Sequence, residues 1–362
     1  MNIPVKNTLS ESLNVFFRAL LEKNIVEALA VPQALFDGKT FSLTLVKDPE
    51  KITHAQPFLP VLMNNGAEAL ASLTATGISG KVGAVMRSCE IRATVELAKF
   101  NQVKLENILF IGVDCLGTME NEDFVRYITD KEFVPEAYLK GLLEGKESIP
   151  VRQACRVCPY PVPAHAEIRL GFIGTDPEKY LTVEASEELT AALGLVGVAS
   201  NVERENAVSL IVKARTEARD RFLKDMKDRF KSIDGMLGEF ARCKRCYNCR
   251  TQCPICFCNE CIFLTKVFDH ESADYLRWAK RKGALRLPYD TLLFHLTRLN
   301  HMATSCVGCG QCSSACPNGL PVFELFQYVG EEVQKLFEYV PGARVEDTPP
   351  VSTFREKELE AL

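Results

Sequence analysis

The sequence lacks the usual marks of several common enzyme classes. Its five histidines among 362 residues are scattered, and none is given a catalytic role. No Ser/His/Asp arrangement, P-loop or Gly-x-Gly-x-x-Gly after a strand is present. That removes the triad hydrolases, the P-loop nucleotidases and the common dinucleotide-binding turn. A charge excess is also missing: 43 basic residues face 47 acidic ones, for a net charge of −4. A nucleic-acid partner is therefore not expected. No apolar run reaches the ~20 residues of a membrane span. The N-terminal stretch MNIPVKNTLSESLNVFF has no charged segment leading into an apolar one. The expectation is a cytoplasmic protein without a secretory signal. A paired disulfide framework is absent too, because the 15 cysteines are odd in number and bunched, eleven of them between Cys243 and Cys316.

The chain divides by cysteine density. Residues 1–203 alternate helix-like and strand-like segments. Leu13, Phe16, Phe17, Leu20 and Leu21 recur at helical spacing. Phe41, Leu43 and Leu45 alternate with Ser42 and Thr44 as a half-buried strand. Residues 81–86 and 107–113 read as short buried strands with a helix over 90–100 between them. Residues 168–173 read as a further strand, and 186–193 as a helix. This order predicts an α/β domain. Residues 204–235 read as a charged connecting helix. Lys213–Lys231 holds eight basic and four acidic residues, which suits a solvated face. Residues 236–340 read as a mostly helical, ferredoxin-like dicluster domain, with one of its helices over 289–298. Residues 341–362 read as an extended tail, anchored on a partner through Phe354 or simply frayed.

The strongest signal lies in the second half. Cys243, Cys246, Cys249 and Cys253 form C-x-x-C-x-x-C-x-x-x-C followed by Pro254. Cys306, Cys309, Cys312 and Cys316, followed by Pro317, repeat the pattern. This is the run of the two-cluster bacterial ferredoxins, in which the fourth cysteine of each motif ligates the other cluster. Three thiolates on one tight loop cap three corners of a cluster, and the fourth corner faces away from that loop. One cluster is therefore assigned to Cys243, Cys246, Cys249 and Cys316. The other takes Cys306, Cys309, Cys312 and Cys253. Zinc sites favour paired C-x-x-C knuckles instead.

Cys89, Cys115, Cys155 and Cys158 are dispersed in the first half. Cys89 follows a predicted strand, Cys115 ends the next one, and Cys155 and Cys158 form a C-x-x-C loop. Four thiolates suit a third 4Fe-4S cluster or a structural zinc. Two core cysteines beside an unrelated knuckle is the plain alternative. Cys256, Cys258 and Cys261 remain over, with His270 nine residues beyond. They suit either a zinc site or free thiols in a reducing cell, and one of them is also open as a replacement for Cys253.

The segments KVGAVMRSCEIRATVELAKF, ILFIGVDCLG and QACRVCPYPVPAHAEIRLGFIG resemble the coenzyme F420 hydrogenase/dehydrogenase beta-subunit family. The added dicluster module makes the resemblance nearest to the formate dehydrogenase beta-subunit type. That resemblance implies an α/β flavoprotein with FAD and a cluster held by Cys89, Cys115, Cys155 and Cys158. It implies an oxidoreductase subunit that passes electrons between a deazaflavin like F420 and partner redox subunits through three 4Fe-4S clusters. Partners implied are a formate dehydrogenase alpha subunit, a hydrogenase or a heterodisulfide-reductase-like complex. An adaptor that has lost its flavin and only wires two enzymes is the alternative. The flavin contacts expected are Asn64, Asn65 and Gly66 in a turn-like run, Arg87 before Cys89, and Gly171 and Gly174, whose missing Cβ permits close approach. Arg92 also flanks Cys89, where a surface position is the ordinary outcome. Two departures stand out: Ser88 precedes Cys89 where the family has Pro, and Ser10–Phe16 replaces a Gly-Gly. They leave the hydride donor open.

Overall fold

The computed structural model describes residues 1–35, 40–130, 134–144, 149–198, 202–268, 270–283 and 290–354. The chain forms two units. The first holds residues 1–222, 307–310 and 341–347, and the second holds 223–306, 311–340 and 348–362.

The first unit is built on a seven-stranded mixed sheet. Its strands are β1 (Asn2–Pro4), β2 (Ala28–Ala34), β3 (Phe41–Val46), β4 (Val82–Arg87), β5 (Ile108–Val113), β6 (Ile168–Gly171) and β7 (Tyr180–Ala185). Their order across the sheet is β1-β7-β6-β5-β4-β2-β3. β2, β4, β5 and β6 run parallel, while β3 and β7 pair antiparallel to their neighbours. β4 and β5 are buried along their whole length, as unbroken apolar runs in a covered parallel sheet should be. β3 lies at the sheet edge, which explains why Leu45 is exposed although the alternation is strand-like. β2 carries Pro32 beyond the residues that pair with β4, so its missing N–H costs nothing on that side.

The helices of this unit are α1 (Leu9–Glu22), α2 (Gly66–Ala75), α3 (Ser88–Lys99), α4 (Asn121–Asp130), α5 (Pro135–Leu143), α6 (Gln153–Arg156), α7 (Glu187–Leu193) and the start of α8 (Val202–Arg229). α1 begins at Thr8, whose hydroxyl accepts the Glu11 N–H at 3.1 Å. Its stripe of Leu13, Phe16, Phe17, Leu20 and Leu21 is buried in the main core, beside Leu29, Val31, Ile111 and Leu170.

The second unit contains helices and turns among its described residues: the rest of α8, α9 (Ile233–Glu239), α10 (Asn248–Thr251), α11 (Ser272–Lys282), α12 (Asp290–Met302), α13 (Gln311–Ser314) and α14 (Val322–Leu336). α12 buries Thr291, Phe294, His295, Arg298, Leu299 and Met302 on one face. No helix among the described residues is long and apolar enough to cross a membrane.

Two expectations are corrected. The connecting helix expected over 204–235 is α8, ending at Arg229; Arg204, ahead of the Lys213–Lys231 stretch read as a solvated face, is buried. The tail does not leave the protein at residue 341. Pro341–Asp347 belongs to the first unit, where Arg92 donates to the Pro341 carbonyl at 2.9 Å and Gly342 N–H donates to Glu96 Oε1 at 2.7 Å. Phe354 is 80% exposed. The charged end from Arg355 to Glu360 and Tyr289 of the expected helix lie outside the described residues.

Candidate iron–sulfur sites

Parallel strands deliver their carboxyl ends to one edge of a sheet, where open α/β folds place their sites. β4 and β5 end in register at Arg87 and Val113, and β6 pairs Leu170 with Val113. Cys89 sits in the first turn of α3, directly after β4. Glu90 caps that turn by accepting the Arg87 N–H at 2.9 Å. Cys115 follows β5, and its N–H donates to the Pro161 carbonyl at 2.8 Å. Cys155 lies within α6 and Cys158 just beyond it. Arg215 of α8 donates to the carbonyls of Cys115 and Cys158, each at 3.4 Å, and so joins the two loops.

These four thiols come together. Burial pushes the Cys89 thiol well above its ordinary range. Negative charge on Glu90, Cys309, Cys115 and Cys158 pushes it the same way. Burial also raises Cys115 and Cys158, and each feels Cys155. Cys155 differs. Burial alone would raise it, but the Arg152 guanidinium and the Thr118 hydroxyl, 3.4 Å from its sulfur, outweigh burial and hold it below the ordinary range. Arg92, expected at the surface, is buried. It donates to the Val307 and Pro341 carbonyls and lies 3.9 Å over the Tyr160 ring. The loop 307–310 thus belongs to this unit, and Gly310 packs on Ala154 so closely that a Cβ there would stand 2.4 Å from the Ala154 Cβ.

A cavity of about 310 Å³ opens in the same unit. Its wall includes Asn64, Asn65, Gly66, Arg87 and Glu90, together with Leu59. The Asn-Asn-Gly run is a helix start as well as a turn, because Asn65 Oδ1 accepts the Ala67 N–H at 3.0 Å to cap α2. Its Nδ2 is buried without a hydrogen-bond partner. Arg87 donates to the Leu59 carbonyl at 2.6 Å and lies 3.9 Å from Glu90. Glu90 Oε1 accepts the Gly66 N–H at 3.0 Å, and burial raises this carboxyl above its usual range. Gly171 and Gly174 do not line this cavity. A Cβ on Gly171 would meet the Arg204 guanidinium at 2.6 Å, and one on Gly174 would meet the Arg204 Cα at 2.5 Å. Both glycines make room for Arg204, which forks onto Asp114 at 2.7 and 3.0 Å and reaches Glu184 at 2.9 Å.

In the second unit, Cys243, Cys246, Cys249 and Cys316 line one small cavity. Cys316 comes from the second motif, so the fold brings the fourth cysteine of that motif to the first three cysteines of the other. Backbone N–H groups point at these sulfurs, Arg245 to Cys243 at 3.4 Å and Leu320 to Cys316 at 3.5 Å. Both motifs also repeat a backbone conformation. Arg245 and Tyr247 have φ of 53° and 61°, and Gly308 and Gly310, at the same steps in the second motif, have 72° and 76°. The left-handed region costs a non-glycine residue about 1–2 kcal/mol, so the first loop holds its sulfurs against strain that the second avoids. His295 Nε2 lies 3.4 Å from the Cys243 sulfur, and burial, then Arg298, pushes this imidazole down to about 3. Arg298 donates to the Cys249 sulfur at 3.3 Å and to its carbonyl at 3.0 Å. Cys253 and Cys312 also act on Arg298. Among the described residues no three His, Cys, Asp or Glu side chains converge on a site for a single ion, Cys256, Cys258 and Cys261 included. Cluster thiolates cap separate iron atoms, so their sets are a different case.

Arg298, His295, Arg152, Arg204 and Arg215 escape a motif search, since no spacing marks them. The one signal is in α12, where His295 and Arg298, three apart, share the face of Phe294, Leu299 and Met302.

The family model described as a 4Fe-4S dicluster domain matches residues 239–320. The F420-dependent formate dehydrogenase subunit beta of Methanocaldococcus jannaschii is 25% identical, over 91% of this chain and 91% of its own. The F420-dependent formate dehydrogenase 1 subunit beta of Methanococcus maripaludis is 28% identical, over 94% of this chain and 92% of its own. A chain of the F420-reducing [NiFe] hydrogenase complex from Methanosarcina barkeri overlaps 61% of this chain and 86% of its own, at 15% identity and a TM-score of 0.44. Fold and cysteines together define an α/β protein with a C-terminal 4Fe-4S dicluster domain. Over most of its length the chain is similar to these formate dehydrogenase beta subunits, which are oxidoreductase subunits.

Proposed function

We propose that this chain is the iron–sulfur flavoprotein subunit of an F420-dependent formate dehydrogenase or hydrogenase complex. It passes electrons between a deazaflavin such as F420 and partner redox subunits. FAD in the first unit would accept an electron pair from the donor and release it one electron at a time. The cavity walled by Asn65, Arg87 and Glu90 carries this reading. Its volume, about 310 Å³, lies at the lower end of small-molecule pockets. Asn65 brings a buried amide donor with no partner, which suits a ring carbonyl or phosphate oxygen. Arg87 adds a cation to the same wall, suited to an anionic group. Glu90 closes the wall and fixes Gly66 and Arg87 by their backbone N–H groups.

Cys89, Cys115, Cys155 and Cys158 would hold the first cluster one residue from that wall, since Cys89 precedes Glu90. The exchanged sets of the two motifs would hold the second and third. Cys309 lies in the first unit and adds to the charge felt by Cys89, which supports passage from the first cluster toward the one Cys309 would ligate.

The test is anaerobic reconstitution of the chain with iron, sulfide and FAD. Three clusters give ~12 iron atoms per chain, with a flavin absorbance. Asn65→Ala and Arg87→Met should lose the flavin and keep the iron. Full iron with no flavin retained by the wild type would favour the adaptor instead.

A further inference from the structure

Arg298 is a feature of the second unit that the motifs leave unexplained. It stands in the middle of α12, is 3% exposed, and carries a charge that burial disfavours. The ordinary answer to a buried guanidinium is a carboxylate beside it. Here the negative groups that act on it most strongly are Cys253, Cys249, Cys312 and Cys256, all of them thiols. Its fork takes the Cys249 sulfur and carbonyl, at 3.3 and 3.0 Å. The flat face lies 4.9 Å over the Phe326 ring and 5.6 Å from that of Phe294, so water does not share the charge. Metal ligation ionises a thiol, and a metal-bound Cys249 sulfur is the negative partner that this buried guanidinium, 3.3 Å away, would otherwise lack. The donor set around Arg298 therefore fits iron–sulfur clusters.

Cys249 belongs to one cysteine set, and Cys253 and Cys312 belong to the other. We propose that Arg298 is a counter-charge shared by the two clusters of the dicluster domain, raising the reduction potential of both. Each cluster gains one negative charge when it takes one electron from the donor side, and no bond forms or breaks. A fixed positive charge stabilises the reduced form more than the oxidised one. The low-dielectric setting strengthens this preference. Because one guanidinium serves both sets, it lifts the two potentials together.

The inference rests on the cluster assignment proposed above. The experiment is a potentiometric titration of the reconstituted full chain, followed by electron paramagnetic resonance, for wild type, Arg298→Gln and Arg298→Lys. In Arg298→Gln the equilibrium for reducing each of two clusters should fall at least about tenfold, which is ~59 mV for one electron. The signal of the third cluster, in the first unit, should not move, and Arg298→Lys should restore most of the shift. Cluster loss in Arg298→Gln with full loading and near-wild-type potentials in Arg298→Lys supports the same conclusion, since charge is what the lysine keeps. Unmoved potentials in a loaded Arg298→Gln, an equal shift of all three signals, or loss of clusters in both variants would overturn it. A wild type that shows only two clusters refutes the first-unit assignment, while the comparison of the remaining two still decides the role of Arg298.

Discussion

Arg204 sits on a helix whose composition reads as solvent-facing, yet its guanidinium is enclosed by Asp114, Glu184 and the Ile173 carbonyl. Asp114 is fully buried and also accepts the N–H groups of Phe172 and Ile173, at 2.9 and 3.0 Å. The carboxylate thus holds the turn after β6 against the end of β5, one residue before Cys115. Removing only the cation leaves that carboxylate buried and unpaired, at a cost of about 3–5 kcal/mol. Arg204→Met should therefore lose stability on that scale in urea denaturation followed by circular dichroism. A change below ~1 kcal/mol would show that the pair does not hold the turn. The sequence hides this contact because the partners stand 90 residues apart. For the same reason Gly171 and Gly174 read as flavin contacts. A glycine signals that something comes close, and only the fold shows that the close object is Arg204.

Local elements are the legible part of the chain. The apolar period of α1, the buried runs of β4 and β5, and the cysteine spacings all report interactions within a few residues of each other. The meeting of Cys316 with the first motif is legible too, because the repeated spacing calls for a fourth cysteine from the other loop. β2 and β7 are not, since Pro32 interrupts the first and the second alternates weakly. The segment after α14 misleads for another reason. Charged, proline-bearing composition says that residues 341–347 build no core of their own, but not that they lie on one. Gly342 has φ of +69°, and a Cβ there would meet the backbone of Arg92 at 2.4–2.5 Å, so the segment is closely fitted to α3. Ending the chain after Val340 should strip Arg92 and Glu96 of these partners and lower the melting temperature. Ending it after Thr353, which removes Phe354 and the residues beyond it, should leave the melting temperature within about a degree, a small fraction of the ~2–4 °C that 1 kcal/mol shifts in a large domain. Equal melting temperatures for the two truncations would mean that the 341–347 contact contributes nothing.

At the scale of the whole molecule, the proposed route would make electron flow depend on cysteines in a fixed order. The cavity wall and Cys89 are neighbours in sequence, and Cys89 in turn feels Cys309 from the second motif. A lesion in the dispersed set should therefore cut the route at its start without unloading the rest. Cys158→Ala is the informative change. Cys158 is in the α6 loop, and its carbonyl contact with Arg215 does not need the side chain. The variant should lose ~4 of ~12 iron atoms, keep the resonance signals of the dicluster domain, and still bleach its flavin when reduced F420 is added. Delivery of electrons to a one-electron dye should stop. Cys309→Ala tests the next step, because it leaves all four dispersed cysteines in place. It should retain the first cluster's signal and lose one from the dicluster pair, with dye reduction falling again. If Cys158→Ala still counts three clusters, the four dispersed cysteines do not form the first site. If it loses a cluster but delivers electrons at the wild-type rate, the route does not pass through that site. Either result would return the first half of the chain to a scaffold for the ferredoxin-like half.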